Sequence, residues 1–160
     1  MVLAWWLVGR NSVPDSSELL VQVKLLNHLT TVRYTIQKVV TLEEQTQLIG
    51  SERILLILQA QVEAGVDLQR LGPKDVQQRP DGVTLIRLPP ARLLNLYVDE
   101  KQTRVWDRSK TWWTPWIPFN PDLEKQARLQ GLEAARQTAL DMGILKQADR
   151  SATEAIQSLL

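Results

Sequence analysis

The chain has 160 residues, with 19 Lys and Arg, 18 Asp and Glu, a single His and no Cys. This length suits one domain that buries roughly 70% of its extended-chain surface, and the composition excludes disordered and disulfide-framework classes. Thiol catalysis, thiolate metal sites, His-based triads and multi-His metal sites are excluded too, so we expect no metal and no cofactor. Because the charges are balanced, the excess of cations that nucleic-acid binding requires is missing, and we expect no nucleic-acid partner.

The chain begins with the apolar run Met1–Val8, which is shorter than the roughly 20 residues of a membrane-spanning helix. Paired Trp followed by Arg10 is typical of a membrane–water interface. Residues 1–10 are therefore interpreted as the end of a membrane anchor or an interfacial segment, and a terminal strand or turn packed on the core is the alternative. The residues proposed to lie at the membrane interface are Leu3, Trp5, Trp6 and Leu7.

Apolar residues at helical spacing predict a short amphipathic helix over Ser16–His28. The lone His28 would lie in the last turn of this helix, facing its unpaired carbonyls. Strict alternation of apolar and polar residues then predicts a strand over Thr30–Val40 with one solvent-exposed face. The polar stretch Thr41–Ser51 is predicted to be a loop or a short helical turn.

A continuous apolar run predicts a central strand over Arg53–Val62. Gly65, just beyond it, suggests a bulge or a bend with positive φ. Asp67 is interpreted as a turn residue that accepts hydrogen bonds from neighbouring backbone N–H groups. Three further strands are predicted, a single one at Val83–Leu88 and a hairpin formed by Arg92–Val98 and Thr103–Asp107.

The C-terminal third predicts two helices. Asn120 can cap the first, Pro121 suits its first position, and Gly143 can end it after about Met142. Both helices carry alanines on their apolar faces, so we expect a helical hairpin that packs on the sheet or on a second copy in a homo-oligomer. The predicted fold class is α+β, with a mainly antiparallel sheet of four to five strands, one N-terminal helix and a C-terminal helical hairpin.

The stretch Lys101–Phe119 holds four of the six Trp. Pro115, Pro118 and Pro121 recur at every third residue, which predicts that Trp113–Pro121 is extended and stiff. Four interpretations are open: aromatic lids over the core, a protein contact surface, a lipid interface, and a stacking platform for single-stranded nucleic acid. Trp and Arg are common anchors of protein interfaces. The candidate partner-binding residues are Trp106, Trp112, Trp113, Trp116, Phe119, Arg104, Arg108 and Lys110.

The order of several short motifs resembles a known family. They are LTTVRYTIQKVV, VEAGVDL, VTLIRLPPARLL, VDEKQTRVWD and the ending ARQTALDMGILKQADRSATEAIQSLL. Together they resemble the bacterial domain of unknown function numbered 4230 over roughly Ser17–Leu160. The resemblance implies an N-terminal transmembrane helix of which Met1–Val8 would be the end, and it supplies no activity and no catalytic residues.

These observations predict a single α+β domain over residues 11–160, preceded by the apolar segment 1–10. The expected function is that of a non-enzymatic accessory or scaffolding protein at a bacterial membrane. It would bind a protein partner through the Trp/Pro-rich loop, and the sequence does not indicate on which side of the membrane it lies. One alternative is a small hydrolase that uses carboxylates such as Asp67, Asp99 or Asp107. The other is a module that binds single-stranded nucleic acid.

Overall fold

The computed structural model describes residues 16–25, 28–46, 50–81, 83–111 and 116–159. The residues Leu3, Trp5, Trp6, Leu7, Trp112 and Trp113 lie outside this part of the chain. The helices are α1 (Ser16–Leu25), α2 (Pro121–Asp141) and α3 (Ile144–Leu159), and short 3-10 turns cover Leu68–Arg70 and Pro73–Asp75. The strands are β1 (His28–Thr46), β2 (Gly50–Asp67), β3 (Val76–Gln78), β4 (Thr84–Ile86), β5 (Arg92–Val98) and β6 (Arg104–Lys110).

Four strands form an antiparallel sheet in the order β1-β2-β5, and β6 also pairs with β2. In the β2–β6 register Glu52 lies opposite Lys110 and Ile57 opposite Arg104, and the register shifts between Leu55 and Leu56. A separate two-stranded sheet joins β3 to β4. With an N-terminal helix and two C-terminal helices, this architecture confirms the predicted α+β class and its mainly antiparallel sheet.

The chain divides into two compact units. The first comprises the chain up to Arg33, Glu63–Leu94 and the chain from Gly143 onward, and the second comprises Tyr34–Val62 and Asn95–Met142. The strands β1, β2 and β5 contribute residues to both units.

The first unit is built around a cluster of buried apolar side chains contributed by α1, β2, β3, β4, α3 and the turn after β2. Leu68 is fully buried and packs in one cluster with Val66, Leu71, Ile86 and Ile156. The end of β2 is covered on both faces, since every residue from Val62 to Leu68 is buried.

Two acidic residues are buried in the same unit, and each has a cationic partner. Glu63 binds Arg33 at 2.7 Å, and Asp67 binds Arg92 at 2.7 Å. Asp67 also accepts a hydrogen bond from the backbone N–H of Gln69 at 3.2 Å, which confirms its predicted role in the turn. Pairing offsets the cost of removing these carboxylates from water.

The second unit packs α2 closely on one face of the sheet. The buried face of α2 includes small residues: Ala127, Gly131, Ala135 and Ala139. A Cβ atom on Gly131 would lie 3.0 Å from Val40 Cγ2 and 3.1 Å from Leu58 Cδ1, so this glycine permits the close approach. Val39, on the opposite face of β1, is 64% exposed, so that face of the sheet is in contact with solvent.

Both ends of α2 follow the prediction from the sequence. Asn120 caps it by accepting a hydrogen bond from the N–H of Asp122 at 3.0 Å, and Pro121 occupies the first turn. Gly143, with φ of 77°, follows the end of the helix in the left-handed region. Among the described helices none has the length and apolarity needed to cross a membrane.

Several predicted boundaries are wrong, and strand pairing is the common reason. Helix α1 ends at Leu25 and His28 begins β1, so the predicted position of His28 in the last helical turn is incorrect. The stretch predicted as a loop after Val40 continues β1 to Thr46, because backbone hydrogen bonds to a neighbouring strand override polar composition. Gly65 lies within β2 and does not have the positive φ that was one of the two predicted possibilities.

The predicted hairpin is also wrong in its pairing. Both β5 and β6 exist close to the predicted positions, but each pairs with β2 in the described sheet, one after the other along its length. The backbone N–H of Asp99, between the two strands, donates to the carbonyl of Gln59 at 2.8 Å. Since β2 is 18 residues long, it can accommodate both strands.

Candidate interaction surface

The stretch Lys101–Phe119 is described as far as Thr111 and again from Trp116, and it continues through Asn120 into α2; we call Trp116–Asn120 the Trp/Pro-rich segment. Trp116 lies in a turn and Ile117 in a bend, so these two residues are not extended as the sequence predicted. The segment carries aromatic rings into solvent: Trp116 is 77% exposed and Phe119 is 47% exposed. Large rings left in contact with water are candidates for binding surfaces.

Trp106 is a further exposed ring, on β6, with 63% of its surface in contact with solvent. The guanidinium of Arg104 lies over this indole, 5.1 Å from the ring centroid. The ring lies at the point where the β2–β6 register shifts, because Leu55 is opposite Asp107 and Leu56 is opposite Val105. A bulge of this kind redirects a side chain away from the regular alternation of the strand.

Lys110, at the end of β6, holds the Trp116–Asn120 segment in place. Its Nζ donates to the backbone carbonyl of Ile117 at 2.8 Å and to that of Pro118. The same ammonium lies 4.9 Å from the centroid of the Phe119 ring. The side chain therefore fixes three consecutive residues of the segment.

Arg108 reinforces this attachment from two residues earlier on β6. Its guanidinium lies over the Phe119 ring at 4.6 Å and donates through Nη2 to the carbonyl of Asn120. Nε and Nη2 both lie 2.8 Å from Glu52 Oε1. Nη1 lies 3.6 Å from Oε2 of Glu124, in the first turn of α2.

Glu52 on β2 is the acidic centre of these contacts and is only 8% exposed. Its Oε2 accepts a hydrogen bond from the backbone N–H of Asn120 at 3.0 Å and lies 3.6 Å from Lys110 Nζ. Burial by itself would raise the pKa of Glu52. The Asn120 N–H, the Arg108 hydrogen bond and the charges of Arg108 and Lys110 outweigh burial and hold that pKa below its ordinary value.

A tight backbone contact joins the start of β2 to the residue after β6. The N–H of Thr111 donates to the carbonyl of Ser51 at 3.0 Å, and the N–H of Ser51 donates to Thr111 Oγ1 at 2.7 Å. Gly50 adopts a φ of 97°, and a Cβ at that position would collide with the Thr111 side chain. Glycine is therefore required here both by backbone conformation and by space.

The predicted cations of the surface have different environments. Arg104 is exposed beside Trp106, whereas Arg108 and Lys110 are largely buried and bound to Glu52 and to carbonyl groups of the segment. Sequence analysis did not single out Glu52. Its charge just ahead of an apolar strand was visible, but its partner is identified only by the β2–β6 register, which the sequence does not give.

Two of the carboxylates considered for hydrolysis, Asp99 and Asp107, are placed apart on the sheet. Asp99 lies beside Gln59 and Asp107 lies opposite Leu55, so about four residues of β2, or roughly 13 Å, separate them. This exceeds the approximately 5–10 Å between the paired carboxylates of glycoside hydrolases. Asp67 belongs to the other compact unit.

The described part of the chain is thus an α+β domain in which a four-stranded antiparallel sheet carries a charged attachment site for an aromatic segment. The chain belongs to the family described as protein of unknown function (DUF4230), whose model matches residues 21–160. No curated protein and no solved structure gave a significant match to the chain.

Proposed function

We propose that this protein is a non-enzymatic accessory or scaffolding domain at a bacterial membrane that binds a protein partner through the aromatic rings of its Trp/Pro-rich segment. The observation that carries the proposal is that Trp116 is 77% exposed while the residues immediately after it are fixed by Lys110, Arg108 and Glu52. A surface ring on a fixed backbone loses little conformational entropy on binding, which favours recognition.

The exposure of the Trp106 and Trp116 rings favours binding of a partner over packing of these rings on the core. An aromatic lid over the core would bury on the order of 200 Å² of each ring. Trp106 and Trp116 instead keep most of their surface in solvent. Arg104 adds a cation beside the Trp106 indole, and Trp and Arg are enriched among the few interface residues that carry most of the binding energy.

The pairing of the nearby cations favours a protein partner over an anionic lipid or a single-stranded nucleic acid. Binding to either polyanion draws on cations that are free to contact phosphates. Arg108 and Lys110 are instead neutralised by Glu52, and Arg108 also lies near Glu124. The two cations that lie over the Phe119 ring are thus already engaged in ion pairs.

The membrane location in this proposal is supported by the apolar run Met1–Val8 with its paired Trp, and by the family resemblance. We expect the full chain to co-sediment with vesicles of phosphatidylethanolamine and phosphatidylglycerol. Replacing both Trp5 and Trp6 with Ala should reduce the bound fraction, whereas replacing Trp116 with Ala should not. Equal binding by all three proteins would contradict an interfacial role for the N-terminal segment.

Site-specific photo-crosslinking tests partner binding directly. A benzophenone amino acid is placed at Trp116, and in a matched control at Leu129, an exposed apolar residue on α2. In cells of the natural host, irradiation should yield discrete protein adducts from position 116 and none of the same adducts from position 129. Identical adducts from both positions, lipid adducts alone or no adduct from position 116 would overturn the proposal.

A further inference from the structure

The outer edge of β1 is the longest strand edge in the described part of the sheet. In the order β1-β2-β5 the strand β1 is terminal, so only one of its two edges is hydrogen-bonded within the sheet. In the second unit this edge covers Thr35–Thr46, which at about 3.3 Å per residue is roughly 40 Å long.

The composition of this edge does not prevent it from pairing with a further strand. Natural edge strands are blunted by Pro, by bulges, by several Lys residues or by short length. β1 has 19 residues without Pro or Gly, and it is rich in Thr and Val, which favour strands. Within Thr35–Thr46 the one cation is Lys38.

The charges along the edge fit a second copy of the same strand. When two antiparallel copies of a strand are related by a two-fold axis perpendicular to the sheet, residues directly opposite each other have their side chains on the same face of the sheet. With the axis at Thr41, Lys38 lies opposite Glu44 of the second copy, and this pair occurs twice. Within its own copy, Glu44 Oε2 also accepts a hydrogen bond from Asn120 Nδ2 at 2.7 Å, which holds this carboxylate beside the start of α2. Moving the axis by one or two residues along the strand places Lys38 opposite a neutral residue.

The same register also pairs similar residues close to the axis, although Val39 lies opposite Glu43. Val40 lies opposite Leu42, again twice, and Thr41 lies opposite Thr41 at the axis. Apolar and Thr–Thr pairs directly opposite each other stabilise antiparallel strands, as do pairs of opposite charge. We propose that two copies of this chain associate through antiparallel pairing of their β1 edges, with the two-fold axis at Thr41, to form one continuous sheet.

Cysteine cross-linking tests the register, and the absence of natural Cys makes the result specific. At the axis the two Thr41 Cα atoms would be about 4.5–5.5 Å apart, within the range that a disulfide spans. Thr35→Cys is the matched control, since it changes the same residue type on the same exposed face of β1. Its two copies would be about 40 Å apart in this register.

Under mild oxidation of the purified full chain in detergent, Thr41→Cys should form a covalent dimer and Thr35→Cys should remain monomeric on a non-reducing gel. Equal cross-linking of both variants, or none of Thr41→Cys, would overturn the proposal. The second of these results, together with a dimer in solution, would place the contact elsewhere, for example at the C-terminal helices.

Charge reversal gives an independent measurement by sedimentation equilibrium. Lys38→Glu should raise the dimer dissociation constant about tenfold, because it sets like charges opposite each other at two places. Combining Lys38→Glu with Glu44→Lys should restore the dissociation constant to within about threefold of the original. A monomer at all concentrations, or a dissociation constant unaffected by Lys38→Glu, would refute β1 pairing.

Discussion

The two edges of the four-stranded sheet differ in length, in regularity and in what is bound to them. On one side β6 has seven residues, its register with β2 is irregular at Leu55 and Leu56, and its end is bound to the Trp116–Asn120 segment through Lys110. On the other side β1 has 19 residues without Pro or Gly. Short, bulged edges resist the addition of a strand and long, regular edges permit it.

Because its two edges differ in this way, one sheet can carry two kinds of contact surface. Near β6, charged side chains are used inside the protein to hold aromatic rings in fixed positions. Along β1, the proposed contact instead uses the backbone hydrogen-bonding groups of the outer edge together with Lys38 and Glu44. Side-chain anchors suit the first surface and main-chain pairing suits the second.

The largest expected effect comes from removing the carboxylate that organises the β6 edge. Glu52→Ala should lower the free energy of unfolding by about 2–3 kcal/mol, because Arg108, Lys110 and the N–H of Asn120 lose their buried acceptor. Urea denaturation followed by circular dichroism measures this change.

Glu43→Ala is the matched control on the β1 edge, where the Glu43 side chain is exposed. It should change the free energy of unfolding by no more than about 0.5 kcal/mol. Similar losses from both substitutions would show that the two edges do not differ as described.

The close contact between Gly50 and Thr111 gives the next largest effect. Gly50→Ala should destabilise the protein by about 2 kcal/mol, since it adds a steric collision to the cost of a positive φ. Gly143→Ala is the control, because its φ is also positive and no atom lies within 4 Å of the added Cβ. It should cost only about 1 kcal/mol. Equal losses would mean that Thr111 moves aside at no cost.

The pH dependence of stability isolates the charge of Glu52. Since its pKa is lower in the folded protein than in the unfolded chain, the ionised group stabilises the fold above the unfolded pKa of roughly 4.3. This contribution is lost as the pH falls through the folded pKa. The difference in stability between the original protein and Glu52→Gln should therefore be constant near pH 6 and shrink below about pH 4.

Glu133 is a second acid whose pKa is lowered, in its case by hydrogen bonding to Arg136. It is present in both proteins, so its contribution cancels in the comparison. A difference that does not change between pH 6 and pH 3 would show that the charge of Glu52 contributes nothing.

Local chemistry determined which features could be predicted from the sequence. The cap at Asn120, the left-handed Gly143 and the turn role of Asp67 each depend on neighbours within a few residues, and all three were predicted correctly. The extension of β1 to Thr46 and the pairing of β5 and β6 with β2 depend on contacts distant in sequence. Periodicity carries no information on such partners, so these features were missed.

In the candidate surface too, features that depend on local sequence were predicted and those that depend on distant contacts were not. Its rings and cations were identified from composition, and Trp106, Trp116 and Phe119 are exposed. The separate functions of the cations could not be predicted, because the position of Glu52 opposite Lys110 follows from strand register alone. Two cations selected as contact residues thus position the segment.

The smallest expected effect on stability comes from the exposed rings themselves. Trp116→Ala and Trp106→Ala should each change the free energy of unfolding by no more than about 0.5 kcal/mol, since both side chains are mostly in solvent. Each substitution should nevertheless remove protein adducts captured by a photo-crosslinker at Phe119, which lies three residues after Trp116. Loss of more than about 2 kcal/mol would mean that the rings support the fold, and unchanged adducts would mean that the partner contacts other residues. Stability retained together with adducts lost is the combination that distinguishes a binding ring from a structural one.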